Sequence, residues 1–337
     1  MAASSAAERG VGSGCRRFLV RSDFRRRPGA RPCIAIIVPF REQPEQSRGA
    51  QVKQFAAHMH AFIGMKARSR RRFVIVVVHQ SNDGRKFNRG QLLNIGFCEA
   101  QRFFAPQPLA SVIFHDVDLL PSASLLSSYE EVPHRGRPHH LSCANTWWKV
   151  SGMLGGYRER FIGGVTAFAP ADFEACNGFP NDYWGWGLED DQLRLRADAA
   201  GCLARGIKRP ESCAGRYTDI DALNNLNILQ SAGREHAPHL WNRKFLETRS
   251  EGGRFVLDLD TGWQTGEGLR GLQHAVRARW RMPLSCDEGL MVMPPVQGEA
   301  DERRAADDED RDLMHCMSGG GDIEILWVLA DLGGEGE

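Results

Sequence analysis

Three consecutive carboxylates, Glu189-Asp190-Asp191, follow directly on Tyr183-Trp184-Gly185-Trp186-Gly187-Leu188. Adjacent carboxylates repel one another, so a fold that keeps them together does so for a metal, a proton or hydroxyl groups. The aromatics offer flat apolar faces with a polar handle, and glycine lets the backbone come close to a ligand. A sugar, with a weakly apolar face and a rim of hydroxyls, suits this composition. The plainer alternative is an acidic first helical turn favoured by the helix dipole. A second acidic pair, Asp116-Val117-Asp118, closes the apolar run Ser111-Val112-Ile113-Phe114. Residues i and i+2 of an extended chain point the same way, so both carboxylates are expected to face one site. Two hard oxygen ligands at a strand end suit Mg²⁺ or Mn²⁺, which in turn grips a diphosphate. A solvated turn with an Asx cap is the alternative.

Two further groups couple an aromatic to a guanidinium, Pro39-Phe40-Arg41 and Phe87-Asn88-Arg89. Each could serve a nucleotide, with the base packed on the ring and the phosphate paired to arginine. Phe in the core and Arg in solvent is the commoner arrangement. His236 and His239 flank Ala237-Pro238, and one imidazole could complete a metal shell. The proline between them rules out a two-histidine helix face.

The elements that must hold these groups are legible as punctuated apolar runs. Cys33 to Val38 and Phe73 to Val78 read as strands buried on both faces, as does Ser111 to Phe114. Residues 48–66 and 90–103 carry apolar side chains at helical spacing between them, which predicts βαβ units and a parallel sheet. Residues 157–168 read as strand, Gly163-Gly164, strand, and residues 171–176 as a short helix. A helix is expected over 189–200, closed by Gly201. A short strand is expected over 203–207 and a last strand pair over 268–280. Residues 230–265, rich in His, Trp, Arg and Gly, read as a mobile segment. Residues 1–31 read as a disordered basic arm and 297–337 as an acidic disordered tail. The apolar patch 323–332 within that tail has no evident role in the sequence. The catalytic domain is therefore expected over 32–285, with a nucleotide half (32–121) and an acceptor half (122–285).

With 337 residues, 42% hydrophobic and 25% charged, the chain can bury a sizeable core. A net charge of +1 implies no general attraction to nucleic acid or to a membrane surface. No apolar run reaches the roughly 20 residues of a membrane span, and the first residues lack the apolar core of a secretory signal. Nine cysteines lie scattered without C-x-x-C spacing, which argues against a zinc knuckle.

Five segments in order carry a family resemblance: Ile36-Ile37-Val38-Pro39-Phe40-Arg41, Phe87-Asn88-Arg89-Gly90-Gln91-Leu92-Leu93-Asn94-Ile95-Gly96-Phe97, His115-Asp116-Val117-Asp118-Leu119-Leu120-Pro121, Phe161-Ile162-Gly163-Gly164-Val165, and Asn177-Gly178-Phe179-Pro180 through Trp184 to Asp191. Over residues 34–280 the series resembles the β-1,4-galactosyltransferase family, and its wording is most similar to the xylosylprotein branch. The resemblance implies an α/β, GT-A-like nucleotide-sugar fold with a mostly parallel central sheet and flanking helices. It implies inverting, Mn²⁺-dependent transfer of galactose from UDP-galactose to a saccharide or glycoprotein acceptor, in the Golgi lumen. By motif, Pro39, Phe40, Arg41, Phe87 and Arg89 would hold UDP, with Asp116 and Gly164 in the same donor site. Asp118 would ligate Mn²⁺ with His236 or His239, and Trp186 would cover the sugar phosphate. Asp190 would be the general base, while Glu189 and Asp191 would orient hydroxyls. Residues 230–265 occupy the position of the family's lid. The family's membrane anchor is not seen, its C-terminal region finds no match beyond about residue 280, and Gly90 replaces a usual Ala, a change expected to be harmless. Transfer of N-acetylgalactosamine or another UDP-sugar, or a non-catalytic sugar-binding role, are the alternatives.

Overall fold

The structure, a computed structural model, describes residues 32–42, 47–65, 71–104, 109–142, 160–210, 216–223, 241–247, 250–251, 254–255, 257–266, 268–283 and 323–332. Its chain order runs β1 (Cys33–Phe40), α1 (Arg48–Gly64), β2 (Arg72–Gln80), α2 (Arg89–Phe104), β3 (Leu109–His115), β4 (Leu119–Pro121), α3 (Leu126–Glu130), β5 (His139–His140), β6 (Val165–Phe168), α4 (Pro170–Ala175), α5 (Glu189–Ala199), β7 (Tyr217–Asp219), α6 (Arg243–Glu247), β8 (Ser250–Glu251), β9 (Arg254–Phe255), β10 (His274–Pro283) and β11 (Ile323–Leu332).

Seven strands form the main sheet in the order β10-β11-β2-β1-β3-β6-β5. The four central strands are parallel, and β10, β6 and β5 join antiparallel. The continuous apolar runs have a simple cause, since both sheet faces are covered. Along β1, Cys33, Ala35 and Ile37 pack with Leu92, Phe97 and Phe173 in one layer. Ile34, Ile36, Val38 and Phe40 point into the other, with Val52, Phe55 and Phe62 of α1. The right-handed crossovers expected for parallel strands are supplied by α1 and α2. Among the described residues no helix is long and apolar enough to cross a membrane.

The C-terminal segment departs from the sequence reading. Residues 323–332, expected within a disordered tail, are strand β11, and it sits inside the sheet between β2 and β10. Its residues Ile325 to Ala330 are all buried. An acidic stretch precedes this strand in sequence, and only the tertiary register with β2, Ile323↔Phe73 through Ala330↔Gln80, gives it a partner. The last strand pair expected over 268–280 is instead one strand, β10, whose partner is β11. Residues 203–205 lie in turns and 206–207 are irregular, so no strand forms over 203–207. Within the segment expected to be mobile, Trp241 and Trp263 are buried. Asn177 Nδ2 donates to the Trp263 carbonyl at 2.6 Å.

Candidate functional site

At the carboxyl end of β3 the chain leaves the sheet through Asp116, turns at Val117-Asp118 and continues as β4, which pairs with β7 in a separate two-stranded sheet. The turn is pinned on both sides. The Asp116 N–H donates to the Gly164 carbonyl at 3.1 Å, and the Ile220 N–H donates to the Asp118 carbonyl at 2.9 Å. Because the backbone is turned rather than extended here, the two carboxylates do not share one direction. Asp116 faces α2, where Arg89 Nε donates to its Oδ1 at 2.8 Å. Asp118 faces α1 and the end of β7, with Arg48 Nη1 3.4 Å from its Oδ2.

Arg89, the first residue of α2, joins the two acidic motifs. Its Nη1 lies 2.8 Å from Asp190 Oδ1 and 3.4 Å from Glu189 Oε1. Its guanidinium carbon lies 5.8 Å from the centre of the Phe179 ring. Burial pulls its pKa down, but Asp116, Asp190 and Glu189 raise it above the ordinary value, so it stays charged. Burial pushes the Glu189 carboxyl up to about 8, with Asp190 adding to the rise and Arg89 opposing it. Asp116 is likewise raised by burial, with Arg89 opposing and Asp190 reinforcing. Three acids around one guanidinium leave net negative charge in the site.

The acids open helix α5, so the helix-dipole explanation of their clustering holds in part. It does not account for Arg89 reaching them from 100 residues away in sequence. Leu188, just before the helix, is left-handed at φ 68, a conformation that costs energy for a branched side chain and marks a backbone held by its surroundings. Behind Asp190 stands Gly163: a Cβ there would overlap Asp190 Oδ2 and the Phe161 ring. Ser142 Oγ donates to the Gly163 carbonyl at 2.8 Å. Asp191 is buried in the first turn of α5.

Asp118 meets a different set. Burial foremost, then Asp116, Asp219 and Asp221, raise its carboxyl to about 6 against the pull of Arg48. Arg48 also pairs with Asp221 at 3.1 Å, and Gln51 Nε2 donates to Asp221 Oδ1 at 3.0 Å. Asp219 and Asp221 were not singled out in the sequence. Their Asp-x-Asp spacing repeats that of Asp116 and Asp118, but only the pairing Leu119↔Asp219 brings them beside the turn. A surplus of hard oxygen donors fits a divalent cation. Among the described residues no group of three metal ligands gathers around one point. His236 and His239 lie outside the described residues.

The remaining candidates divide. Phe40 is fully buried, its ring edge-on to His79 at 4.8 Å and Trp327 at 5.5 Å, so in this conformation it packs in the core and offers no face to a base. Pro39 is also buried, and Arg41 donates to the Arg85 carbonyl. Phe87 packs against the core, and its carbonyl accepts from the Gly185 N–H at 2.8 Å, which ties it to the tryptophan loop. Of the three aromatics in that loop, Tyr183 and Trp184 are core residues. Trp186 alone is partly exposed, and its ring meets Trp241 edge-on at 4.6 Å. Gly90 is not a neutral replacement in this chain, because a Cβ there would stand 2.7 Å from the Pro180 carbonyl oxygen.

Residues 26–128 match the N-terminal region of glycosyl transferase group 7, and residues 140–222 match the family described as the N-terminal domain of galactosyltransferase. The chain is 38% identical over 224 residues to human β-1,4-galactosyltransferase 4, covering 64% of this chain and 58% of that protein. It is 31% identical over 268 residues to mouse β-1,4-galactosyltransferase 3, covering 79% of this chain and again 58% of the relative. The chain thus spans somewhat more than half the length of these relatives. In three dimensions it is similar to the catalytic domain of Drosophila β1,4-galactosyltransferase 7 in complex with xylobiose, with a TM-score of 0.53 and 21% identity over 90% of this chain and 95% of that one. A mutant of the Drosophila protein in complex with manganese, UDP-Gal and xylobiose matches equally.

Proposed function

The chain belongs to glycosyl transferase group 7, the family of the β-1,4-galactosyltransferases, and from that membership we propose that it moves galactose from UDP-galactose to a sugar hydroxyl with inversion. The observation that carries this reading is Arg89, which at 2.8 Å from both Asp116 and Asp190 makes one site of the strand-end acidic turn and the helix-start acidic run. A donor whose phosphates lie toward Asp118 would have its sugar between these two motifs.

In that arrangement Asp190 takes the proton of the acceptor hydroxyl as the hydroxyl oxygen bonds to the anomeric carbon. The anomeric carbon–oxygen bond to the diphosphate breaks on the opposite face, and UDP leaves. A single displacement needs one carboxylate base, and the left-handed Leu188 together with Gly163 fixes where that base stands. Arg89 holds Asp190 from the other side. Glu189, protonated at neutral pH, can donate a hydrogen bond to a sugar oxygen. Trp186, partly exposed at the lip, covers the sugar phosphate side of the donor. Asp118, with a histidine from 236–239, would hold a divalent cation, which supplies charge compensation for the leaving diphosphate. The wording of 115–121 supports a xylose-type acceptor, and a Golgi lumenal location follows the same resemblance.

The test is a transfer assay with UDP-galactose and Mn²⁺, offered a β-xyloside and a β-N-acetylglucosaminide in parallel. Asp190→Asn should lower the turnover number by about 10²–10⁴-fold while UDP binding by calorimetry stays as in the parent. Unaltered turnover in Asp190→Asn, or no transfer to either acceptor by the parent, would overturn the reading. Product on the glucosaminide alone would retain the enzyme and remove the xylose-type acceptor.

A further inference from the structure

Beneath the acidic turn runs a buried chain of hydrogen bonds that the reaction does not use. His115, the last residue of β3, lies with one ring nitrogen, Nδ1, 2.8 Å from the Asp116 carbonyl oxygen and the other, Nε2, 2.7 Å from the Tyr129 hydroxyl of α3. The Tyr129 hydroxyl lies 2.9 Å from that of Tyr217 in β7. All three side chains are buried. Phe55 lies edge-on to the imidazole at 5.0 Å, and Phe62 edge-on to Tyr129 at 5.1 Å.

The partners fix the direction of this chain. A carbonyl only accepts, so Nδ1 carries the imidazole proton and donates it to Asp116. A neutral imidazole has no second proton, so Nε2 accepts from Tyr129. The Tyr129 oxygen, having given its proton, accepts from Tyr217. Three elements, β3, α3 and β7, are thereby linked by one set of bonds with a single polarity.

We propose that His115, Tyr129 and Tyr217 form a positioning relay that sets the Asp116–Asp118 turn for cation and diphosphate binding, a role that rests on the function proposed above. The relay grips the turn from both ends. It holds the Asp116 carbonyl directly, and it holds β7, which is followed at once by Ile220, the donor to the Asp118 carbonyl. The need for such a grip is electrostatic. Asp116, Asp219 and Asp221 each act against the charge of Asp118, and Arg48 at 3.4 Å opposes them. A further charged group here would either compete with the cation or add to the repulsion, whereas an uncharged, hydrogen-bonded one holds the geometry and leaves the field to the carboxylates and to Arg48 and Arg89. None of the three residues touches the reacting atoms.

The measurement is Mn²⁺ binding to the full chain in the presence of UDP, read from the electron paramagnetic resonance of free Mn²⁺, beside the thermal midpoint. Tyr129→Phe strands both neighbours and should weaken Mn²⁺ binding by about tenfold. Tyr217→Phe leaves the Tyr129 hydroxyl free to serve His115 and should weaken it by about two- to threefold. Phe62→Leu, which loosens the packing on the Tyr129 ring, should lower the midpoint and leave Mn²⁺ affinity at the parent value. If Tyr129→Phe lowers the midpoint as Phe62→Leu does and binds Mn²⁺ like the parent, the relay is only structural. Should Tyr129→Phe not fold, parent-like binding by Tyr217→Phe refutes the proposal by itself. A parent that binds no Mn²⁺, in contrast to one whose binding is lost in Asp118→Ala, would remove the metal-dependent reading and the relay with it.

Discussion

Glu189 and Asp190 are neighbours in sequence and differ in chemistry because of what surrounds each. Glu189 is buried beside another carboxylate, and its single long contact with Arg89, 3.4 Å, does not offset that burial. Asp190 receives the shorter 2.8 Å contact. The consequence for stability has a definite sign. The Glu189 carboxyl, raised from 4.5 to about 8, holds its proton more tightly in the folded state than in the unfolded one. Stability is therefore greatest below the unfolded value and declines as pH rises toward about 8. The buried histidines His79, His115, His139 and His140 have lowered pKa values, and they act in the opposite sense below their ordinary value of 6.5. Above 6.5 these histidines no longer contribute, and the decline toward about 8 carries the glutamate. Urea midpoints should fall across that interval in the parent and stay level in Glu189→Gln. Parallel declines in the two proteins would show that another group titrates.

At the scale of elements, the site depends on how closely the 161–164 loop approaches the start of α5. Ser142 Oγ accepts from the Val165 N–H at 2.8 Å while donating to the Gly163 carbonyl, so the loop cannot retreat when its neighbour grows. Gly163→Ala would thus push the Asp190 carboxylate off its position between Gly163 and Arg89. A misplacement on the order of 1 Å should lower kcat by roughly a hundredfold, with the KM for UDP-galactose nearly unchanged, as steady-state kinetics would read. A kcat at the parent level would mean that Asp190 has room to move and still act.

The sequence disclosed the parts of this site unevenly, for physical reasons. Strands buried on both faces announce themselves as runs such as Phe73 to Val78, and the acids at their ends stand out by contrast. Burial of individual aromatics does not announce itself. Tyr183, Trp184 and Trp186 look alike in sequence, yet two belong to the core and one to the lip. Phe40 follows the same alternation as Ile36 and Val38, which carries it into the layer below the sheet. The two-sided arrangement of Asp116 and Asp118 depends on a turn that an extended reading of Asp-x-Asp does not foresee. Asp219 and Asp221 reach the site only through the β4–β7 pairing, and pairing between distant segments leaves no local mark.

On the scale of the whole molecule, β11 is the element whose removal tests the architecture. It lies in register with β2 along eight residue pairs on one side and with β10 on the other. An open parallel sheet tolerates loss of an edge strand better than loss of an interior one, because an interior strand satisfies two rows of backbone groups and covers apolar surface on both faces. Within β11, Leu326 and Val328 pack with the α2 layer, whereas Ile325 and Trp327 pack with the α1 layer. Trp327 also braces Phe40 and His79 at the carboxyl ends of β1 and β2, next to the Pro39-Phe40-Arg41 segment. Trp327→Ala should therefore cost about 3–5 kcal/mol of stability, read from denaturant titration, and should loosen the nucleotide side of the site more than the Asp190 side. A chain ending before Ile323 should show no cooperative thermal transition and should bind an exposed-hydrophobe dye. If that shortened chain melts cooperatively with a midpoint near the parent's, β11 is an accessory to the sheet and the nucleotide half is complete without it.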